Sequence, residues 1–212
     1  MKVEKVQIQV VFEKTQQLEA PLYQRPYVWG RERNWEPLWE AIRLVADRLL
    51  SGGDCRPHFL GTVVLEQRRT TVSRVDTRQI IDGQQRLTTL QLAMAAARDL
   101  CAELGETNYA KAFGKLAVND CPLSTVANDQ FKIWPTNADR ADFESVMLAG
   151  SRQAVAGQKH ADPDDEWLVP DAYLYFSGEF AEWLGAPLAA QFHERLQTLH
   201  RALTQELHLV VI

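Results

Sequence analysis

A mixed α/β fold, of the α+β kind, with a small sheet and a mostly helical second half, is the fold class that this sequence predicts. Three features predict it. Apolar runs rich in β-branched residues occur at residues 3–12 and 59–67, which is typical of strands. A helical repeat of apolar residues follows at 84–104. Most later segments also show helical spacing of their apolar residues.

The composition fits one folded domain or two small ones. The chain has 212 residues, of which 46% are hydrophobic, with 11 Gly and 9 Pro. These values exclude disordered, collagen-like and low-complexity proteins. The chain lacks a run of about 18 uncharged apolar residues, and its N-terminus is charged where a signal peptide has an apolar core. We therefore expect a cytoplasmic protein with no membrane partner.

The cysteines and histidines do not show the spacing of metal ligands. Cys55, Cys101 and Cys121 are scattered and form no C-x-x-C pair, and the five His are equally dispersed. A disulfide scaffold or a zinc ribbon needs paired residues. The thiols are therefore expected to be reduced.

Charge is distributed unevenly along the chain, whose net charge is −5. Residues 25–86 contain eleven Arg and eight Asp or Glu, a net of +3, whereas residues 87–212 contain nine Lys or Arg and seventeen Asp or Glu, a net of −8. Such a chain can present a locally positive surface to an anion while its acidic half keeps it in solution. A chance fluctuation of charge is the alternative.

Local patterns predict the elements of the first half. Residues 3–12 predict a strand or an extended arm, and the prolines and aromatics of residues 20–30 indicate an ordered loop. Asn34 is the expected N-cap of a helix that ends near Leu50. Residues 59–67 and 80–81 predict an antiparallel hairpin with a long basic tip.

The second half predicts helices joined by short connections. A largely buried helix at 84–104 is followed by the expected helices at 108–118, 138–148, 172–184 and 188–207. A short strand is expected at 131–134 and a linker at 150–165. The apolar residues 208–212 predict a strand that stops at the last residue. Because natural chains seldom stop at a buried strand, we expect a fragment of a longer protein.

The sequence IIDGQQRLTTL carries the strongest chemical signal. A strand delivers Asp82, Gly83 permits a tight turn, and a helix begins near Gln84 with its N–H groups and positive dipole end towards the strand edge. This geometry favours an anion such as phosphate. Arg86 in the first turn can bind two phosphate oxygens. Asp82 can hold Mg²⁺ or orient a water, and Gln84 or Gln85 can position that water or a base edge.

A structural interpretation of the same residues stays open. Asp82 would then cap the helix, and Arg86 would pair with a carboxylate. A Walker A loop is excluded, because the chain contains no G-x-x-x-x-G-K-[ST] pattern.

The segment YQRPYVW, residues 23–29, is the second group of candidate functional residues. Aromatic side chains interleaved with Arg suit stacking on bases, with the charge on the phosphate backbone. The predicted DNA contacts of this segment and of the hairpin tip are Tyr23, Arg25, Tyr27, Trp29, Arg68 and Arg69. In the alternative, the aromatic side chains anchor the loop on the hydrophobic core.

Four segments, in their order and spacing, resemble the N-terminal domain of GmrSD-type, modification-dependent (type IV) restriction enzymes of phage defence. They are YQRPYVW, a Trp-rich helix, HFLGTVVLEQ and IIDGQQRLTTLQLAMAA. The resemblance covers about residues 22–97, with IWPTNADRADF as a weaker later block. It implies a ParB/sulfiredoxin-like small mixed sheet with helices, whose phosphate-binding motif lies at residues 82–86. We expect a nucleotide-binding core at residues 1–105 and a helical extension at 106–212.

The resemblance further implies a Mg²⁺-dependent nucleoside triphosphatase (NTPase) that regulates DNA restriction. Its implied nucleotide contacts are Gln24, Arg25, Gly83, Arg86 and Thr88. Its implied catalytic residues are Asp82, Gln84, Gln85 and Arg86, with Asp82 as the metal ligand.

The expected partners are a nucleoside triphosphate (NTP), DNA that can be modified, and a C-terminal nuclease domain or subunit absent from this chain. No nuclease activity is expected of the chain itself. The rival interpretation is a non-catalytic module that binds modified DNA and uses DGQQR for architecture. A third is an assembly domain with neither activity.

Overall fold

The computed structural model describes residues 3–53, 56–70, 73–158 and 166–212. Its strands are β1 (Glu4–Gln7), β2 (Gln16–Glu19), β3 (His58–Gln67), β4 (Asp76–Asp82), β5 (Ile133–Trp134) and β6 (Leu207–Val211). Its helices are α1 (Ile8–Phe12), α2 (Glu36–Leu50), α3 (Gln84–Glu103), α4 (Thr107–Ala117), α5 (Arg140–Ala149), α6 (Arg152–Ala156), α7 (Leu168–Leu184) and α8 (Phe192–Arg201). The mixed α/β fold class is confirmed.

The six strands form one mixed sheet in the order β1-β6-β3-β4-β2-β5. The predicted antiparallel hairpin is confirmed as β3 and β4, with an irregularity between Val64 and Leu65. β6 pairs parallel with β3 and antiparallel with β1. β2 lies parallel to both β4 and β5. The carboxyl ends of β2 and β4 therefore meet at one edge of the sheet.

Helix α3 is buried on almost every side, as its apolar sequence predicts. It packs against α4 and α7, and its side chains join sheet residues such as Val63 and Ile80 in a common core. The opposite face of the sheet leaves Phe59 and Ile81 exposed. The helices therefore cover one face of the sheet, and α3 begins at the edge where β4 ends.

The N-terminal segment differs from its prediction. Only Glu4–Gln7 is a strand, and Ile8–Phe12 is helical because Ile8, Val11 and Phe12 have helical spacing and all face the core. Strand β2 was not expected, since its sequence QQLE has one apolar residue. It is held by pairing with distant strands, and buried Gln16 donates to the Val11 carbonyl oxygen at 3.0 Å.

The predicted helices at 84–104, 108–118, 138–148 and 172–184 are confirmed as α3, α4, α5 and α7, with shifted ends. The helix predicted at 188–207 is wrong in extent, since α8 is followed by a π-helical turn at Ala202–Glu206. α2 likewise begins at Glu36 after a π-helical turn, so Asn34 is not its N-cap. The predicted linker at 150–165 contains α6, and its residues 159–165 lie outside the described residues.

Strands from both halves of the chain lie in this sheet. β5 pairs with β2, and β6 lies between β1 and β3. The predicted boundary between residues 105 and 106 stays a prediction. No helix in the described ranges combines the length and apolar character that a membrane span requires.

A buried lysine lies beside the β2–β5 pair. Lys132 is 3% exposed, and its Nζ donates to the Lys14 carbonyl oxygen and to Asn119 Oδ1, each at 2.9 Å. Burial disfavours the ammonium and lowers the pKa of Lys132 to about 8. Its charge therefore changes within an experimentally accessible pH range.

Candidate functional site

An open cleft of about 320 Å³ lies where β4 ends and α3 begins. Gly83 makes the turn between them with a φ of +95°, in the left-handed region. A Cβ atom at this position would overlap the side chain of Val63. Only glycine therefore fits between the strand and the helix.

The cleft unites the two motifs that the sequence singles out. Its lining residues come from the DGQQR motif, the loop at residues 20–30 and β3: Gln24, Arg25, Trp29, Thr62, Asp82, Gly83, Gln84, Gln85 and Arg86. Thr62 is the one that sequence reasoning missed. The preceding Gly61 was the available signal, because a glycine inside a strand marks a close approach of another group.

Arg86 is half-buried in the cleft, where its Nη1 donates to the Thr62 carbonyl oxygen at 2.9 Å. No carboxylate of the described residues lies within ion-pair distance of it. Burial lowers the pKa of the Arg86 guanidinium, and the charge of Asp82 acts in the opposite direction. Arg86 is therefore a cation bonded to a neutral group, and among the described residues it has no carboxylate partner of the kind that the structural interpretation requires.

The start of α3 also lacks a side-chain cap. Its N-cap residue is Gly83, and no side chain of the described residues accepts a capping hydrogen bond there. Asp82 is exposed and lines the cleft without serving as the cap. The residues at the start of α3, from Gly83 to Arg86, all line the cleft, and the first N–H groups of a helix have no partner within the helix.

The two glutamines of the motif differ in their surroundings. Gln85 is buried, its Oε1 accepts from the Val28 N–H at 2.8 Å, and its Nε2 donates to the Pro26 carbonyl oxygen at 2.9 Å. Both ends of its amide therefore hold the loop. Gln84 Nε2 donates to the Arg25 carbonyl oxygen at 3.3 Å. Its buried Oε1 accepts no hydrogen bond from the described residues.

Two more side chains fix the loop at residues 20–30. Gln24 Nε2 donates to the Ile81 carbonyl oxygen at 2.9 Å, at the end of β4. Both carboxylate oxygens of Asp139 accept from the Tyr27 N–H at 3.0 Å, and one accepts from the Thr136 hydroxyl at 2.6 Å. Burial raises the pKa of Asp139, and these hydrogen bonds oppose the shift. Sequence reasoning missed Asp139, whose signal was the later block IWPTNADRADF.

The aromatic residues of YQRPYVW have different environments. Tyr27 is 4% exposed, and its hydroxyl bonds Thr89 Oγ1 at 2.7 Å and accepts from Trp35 Nε1 at 2.9 Å. Burial raises the pKa of Tyr27, and its ring is a core anchor that no base can reach in this structure. Trp29 is half-buried and lines the cleft, whereas Tyr23 is 78% exposed.

Thr88, the remaining predicted nucleotide contact, is fully buried and does not line the cleft. The structure therefore does not bring it together with the other predicted site residues. Arg25 is exposed at the cleft, as a contact to an anion requires.

A second groove, of about 430 Å³, lies at the hairpin tip on the other side of the same loop. Arg68 and Arg69 line it and are exposed, and neither has an ion pair within the part of the chain that the structure describes. Arg74 is engaged by buried Asp129, with an Nη2–Oδ1 distance of 2.8 Å. The available positive charge of the tip is therefore concentrated at Arg68 and Arg69. Thr71 and Val72 of the tip lie outside the described residues.

The cleft fits a magnesium ion that arrives with phosphate. Across the described ranges, no group of three His, Cys, Asp or Glu side chains could hold a metal by itself. Mg²⁺ commonly takes one or two carboxylates and completes its shell with phosphate oxygens and water. The carboxylate of Asp82, which is exposed and lines the cleft, could supply such a ligand.

This α/β fold places a helix N-terminus at an open cleft, beside a guanidinium that has no carboxylate partner among the described residues. Such donor groups are able to bind an anion. Comparison with protein families gives a matching result. Residues 8–205 match the family described as GmrSD restriction endonuclease, N-terminal domain. The chain therefore belongs to this family, which confirms the resemblance. No curated protein matches the chain.

Proposed function

We propose that this domain binds an NTP in the cleft and hydrolyses it with Mg²⁺, as a regulatory step in DNA restriction. The observation that carries the proposal is Arg86, a half-buried cation bonded to a carbonyl oxygen and unpaired with any described carboxylate. Phosphate oxygens would supply the missing negative charge and would also accept from the first-turn N–H groups of α3.

The roles of the lining residues follow from their positions. Arg86 and the N-terminus of α3 bind the phosphates, and Arg25 adds a second positive charge at the mouth of the cleft. Trp29 offers an aromatic face on which a base can stack. Asp82 would hold Mg²⁺, which supplies charge neutralisation on the phosphates. Gln24, Gln85 and Asp139 position the loop that carries these groups.

Hydrolysis requires a water placed in line with the bond to the terminal phosphate. Asp82 can orient this water as an acceptor, since its carboxylate is exposed in the cleft. Gln84 can do so only after its buried amide moves. Gln85 is assigned to loop positioning, because its amide oxygen and nitrogen are both already bonded.

Thermal unfolding with each of the four NTPs and Mg²⁺ tests the proposal. An NTP at a hundred times its dissociation constant should stabilise the fold by about 2.7 kcal/mol. Arg86→Ala should abolish phosphate release and weaken NTP binding roughly ten- to a hundredfold, because it removes a charge-assisted contact. The variant should stay folded, because its loss opens no core cavity. Arg43→Ala, an exposed arginine on α2, is the matched control. Parental hydrolysis by Arg86→Ala would refute the assignment.

A second candidate function, binding of the DNA backbone, is favoured by the exposed pair Arg68 and Arg69. Changing both to Ala should weaken binding equally for all sequences and reduce the slope of log affinity against log salt by about 0.9 for each lost phosphate contact. The control is the double change of Arg43 and Arg48, which are exposed on α2. An unchanged salt slope would remove the hairpin tip from the DNA-binding surface.

A further inference from the structure

The geometry points to Gly61 of β3 as a positioning residue for Arg86: its missing side chain leaves the space in which the guanidinium lies. The inference rests on the proposed function, since the purpose of that position is to present the guanidinium to phosphate. Gly61 does not line the cleft, and it would act only through Arg86.

The contact is close and involves the charged end of Arg86. A Cβ atom built on Gly61 would lie 3.0 Å from Nη2, 3.1 Å from Cζ and 3.4 Å from Nη1 of Arg86. The first two distances are shorter than ordinary van der Waals contact, which begins near 3.4 Å. A Cβ atom at this position therefore requires the guanidinium to shift by a few tenths of an ångström.

The backbone of β3 is shaped for this contact. Gly61 has a φ of +107°, which L-residues with a side chain rarely adopt. The pairing of β3 with β6 shifts register between Phe59 and Thr62, so Gly61 lies within the irregularity. The next residue, Thr62, gives its carbonyl oxygen to Arg86 Nη1. One irregular strand segment thus supplies both the space and the hydrogen bond that fix the guanidinium.

The same segment of β3 also packs against Gly83, the glycine of the DGQQR motif. Val63 occupies the space where a Cβ of Gly83 would lie. Residues 61–63 therefore contact both the turn and the arginine of DGQQR. These two contacts give the HFLGTVVLEQ segment a role: it holds the turn and the arginine of DGQQR against the sheet.

A double-mutant cycle of Gly61→Ala and Arg86→Ala separates positioning from general damage. Each protein is titrated calorimetrically with ATP, GTP, CTP and UTP in the presence of Mg²⁺, and its unfolding in urea is measured. Gly61→Ala should weaken binding at least about tenfold, since a displaced guanidinium loses a charge-assisted hydrogen bond. In the Arg86→Ala background the same change should alter the affinity less than about twofold, because the group it displaces is gone.

The strain of the backbone needs its own control. Gly105 also has a positive φ, of +77°, but a Cβ there would meet nothing within 4 Å. Gly105→Ala should therefore lose stability without losing NTP affinity. Gly61→Ala combines backbone strain with the close contact to Arg86, and only the contact is removed by Arg86→Ala. In urea, the Gly61→Ala change should therefore cost less stability in the Arg86→Ala background than in the parent. An equal cost in both backgrounds would overturn the inference.

The outcomes also distinguish this inference from the proposed function. If Arg86→Ala loses NTP affinity while Gly61→Ala matches Gly105→Ala, the positioning role is refuted and the function stands. Equal losses from Gly61→Ala in both Arg86 backgrounds would likewise refute positioning through Arg86. If the parent binds none of the four nucleotides, or Arg86→Ala binds them normally, the proposed function fails and the inference fails with it.

Discussion

Gln85→Glu tests the claim that Gln85 anchors the loop at residues 20–30. The change keeps the size of the side chain and the acceptor for the Val28 N–H, but it replaces the Nε2 donor that lies 2.9 Å from the Pro26 carbonyl oxygen. Two acceptors then face each other in a part-buried place. The lost hydrogen bond and the partly unsatisfied acceptor together should cost about 1–3 kcal/mol.

Acid should reduce this deficit. A protonated carboxyl can donate to the Pro26 carbonyl oxygen, so the introduced group should have a pKa above its usual value of about 4.3. Its unfavourable effect is then full at neutral pH and shrinks as the pH falls towards that value. Urea unfolding of the parent and the variant at pH 7 and pH 5 should show a smaller difference at pH 5.

The matched control is Gln205→Glu, at an exposed position, which should change stability by less than about 0.5 kcal/mol. Equal stabilities of parent and Gln85→Glu at pH 7 would refute the anchoring role. A deficit that is the same at both pH values would show that the carboxyl does not face the Pro26 carbonyl oxygen.

Three more predictions concern stability, measured by urea unfolding. Gly83→Ala should cost about 3 kcal/mol or more, because it combines a φ of +95° with overlap on Val63; a cost below about 1 kcal/mol would contradict this. Asp139→Asn should cost about 1–3 kcal/mol by weakening the hydrogen bond from the Tyr27 N–H. An unchanged stability would contradict this prediction. As the pH rises from about 8 to 10.5, the free energy of unfolding of the parent should increase by about 1–3 kcal/mol relative to that of Lys132→Met. In this pH range the folded state buries a neutral amine, whereas the unfolded chain still binds the proton. A difference independent of pH would be inconsistent with a lowered pKa.

Local patterns predicted the parts of the fold whose residues contact their sequence neighbours. The helical repeat of α3 and the two apolar runs of the β3–β4 hairpin are examples. β2 could not be predicted in this way, because polar QQLE becomes a strand through partners more than fifty residues away. α1 was missed for a related reason: its three core residues fit a helix, but the β-branched composition of the segment suggested a strand.

The candidate site was likewise predicted only in part. The family resemblance implied that Asp82–Arg86 would lie with Gln24 and Arg25, and the cleft brings them together. The supporting contacts were not predictable, because Asp139 reaches the loop from more than a hundred residues away. Tyr27 was predicted to contact DNA as one of three similar aromatics, and only the three-dimensional packing separates it from exposed Tyr23.

The position of Arg86 relative to a bound phosphate is the most direct test of the account. A crystal structure of the chain with Mg²⁺ and a non-hydrolysable analogue of the tightest-binding NTP would measure it. The account predicts phosphate oxygens within hydrogen-bond distance of the Arg86 guanidinium and of the first N–H groups of α3, with Gly61 still beneath the guanidinium. A nucleotide bound elsewhere, such as in the groove of Arg68 and Arg69, with Arg86 bonded only to Thr62, would contradict it.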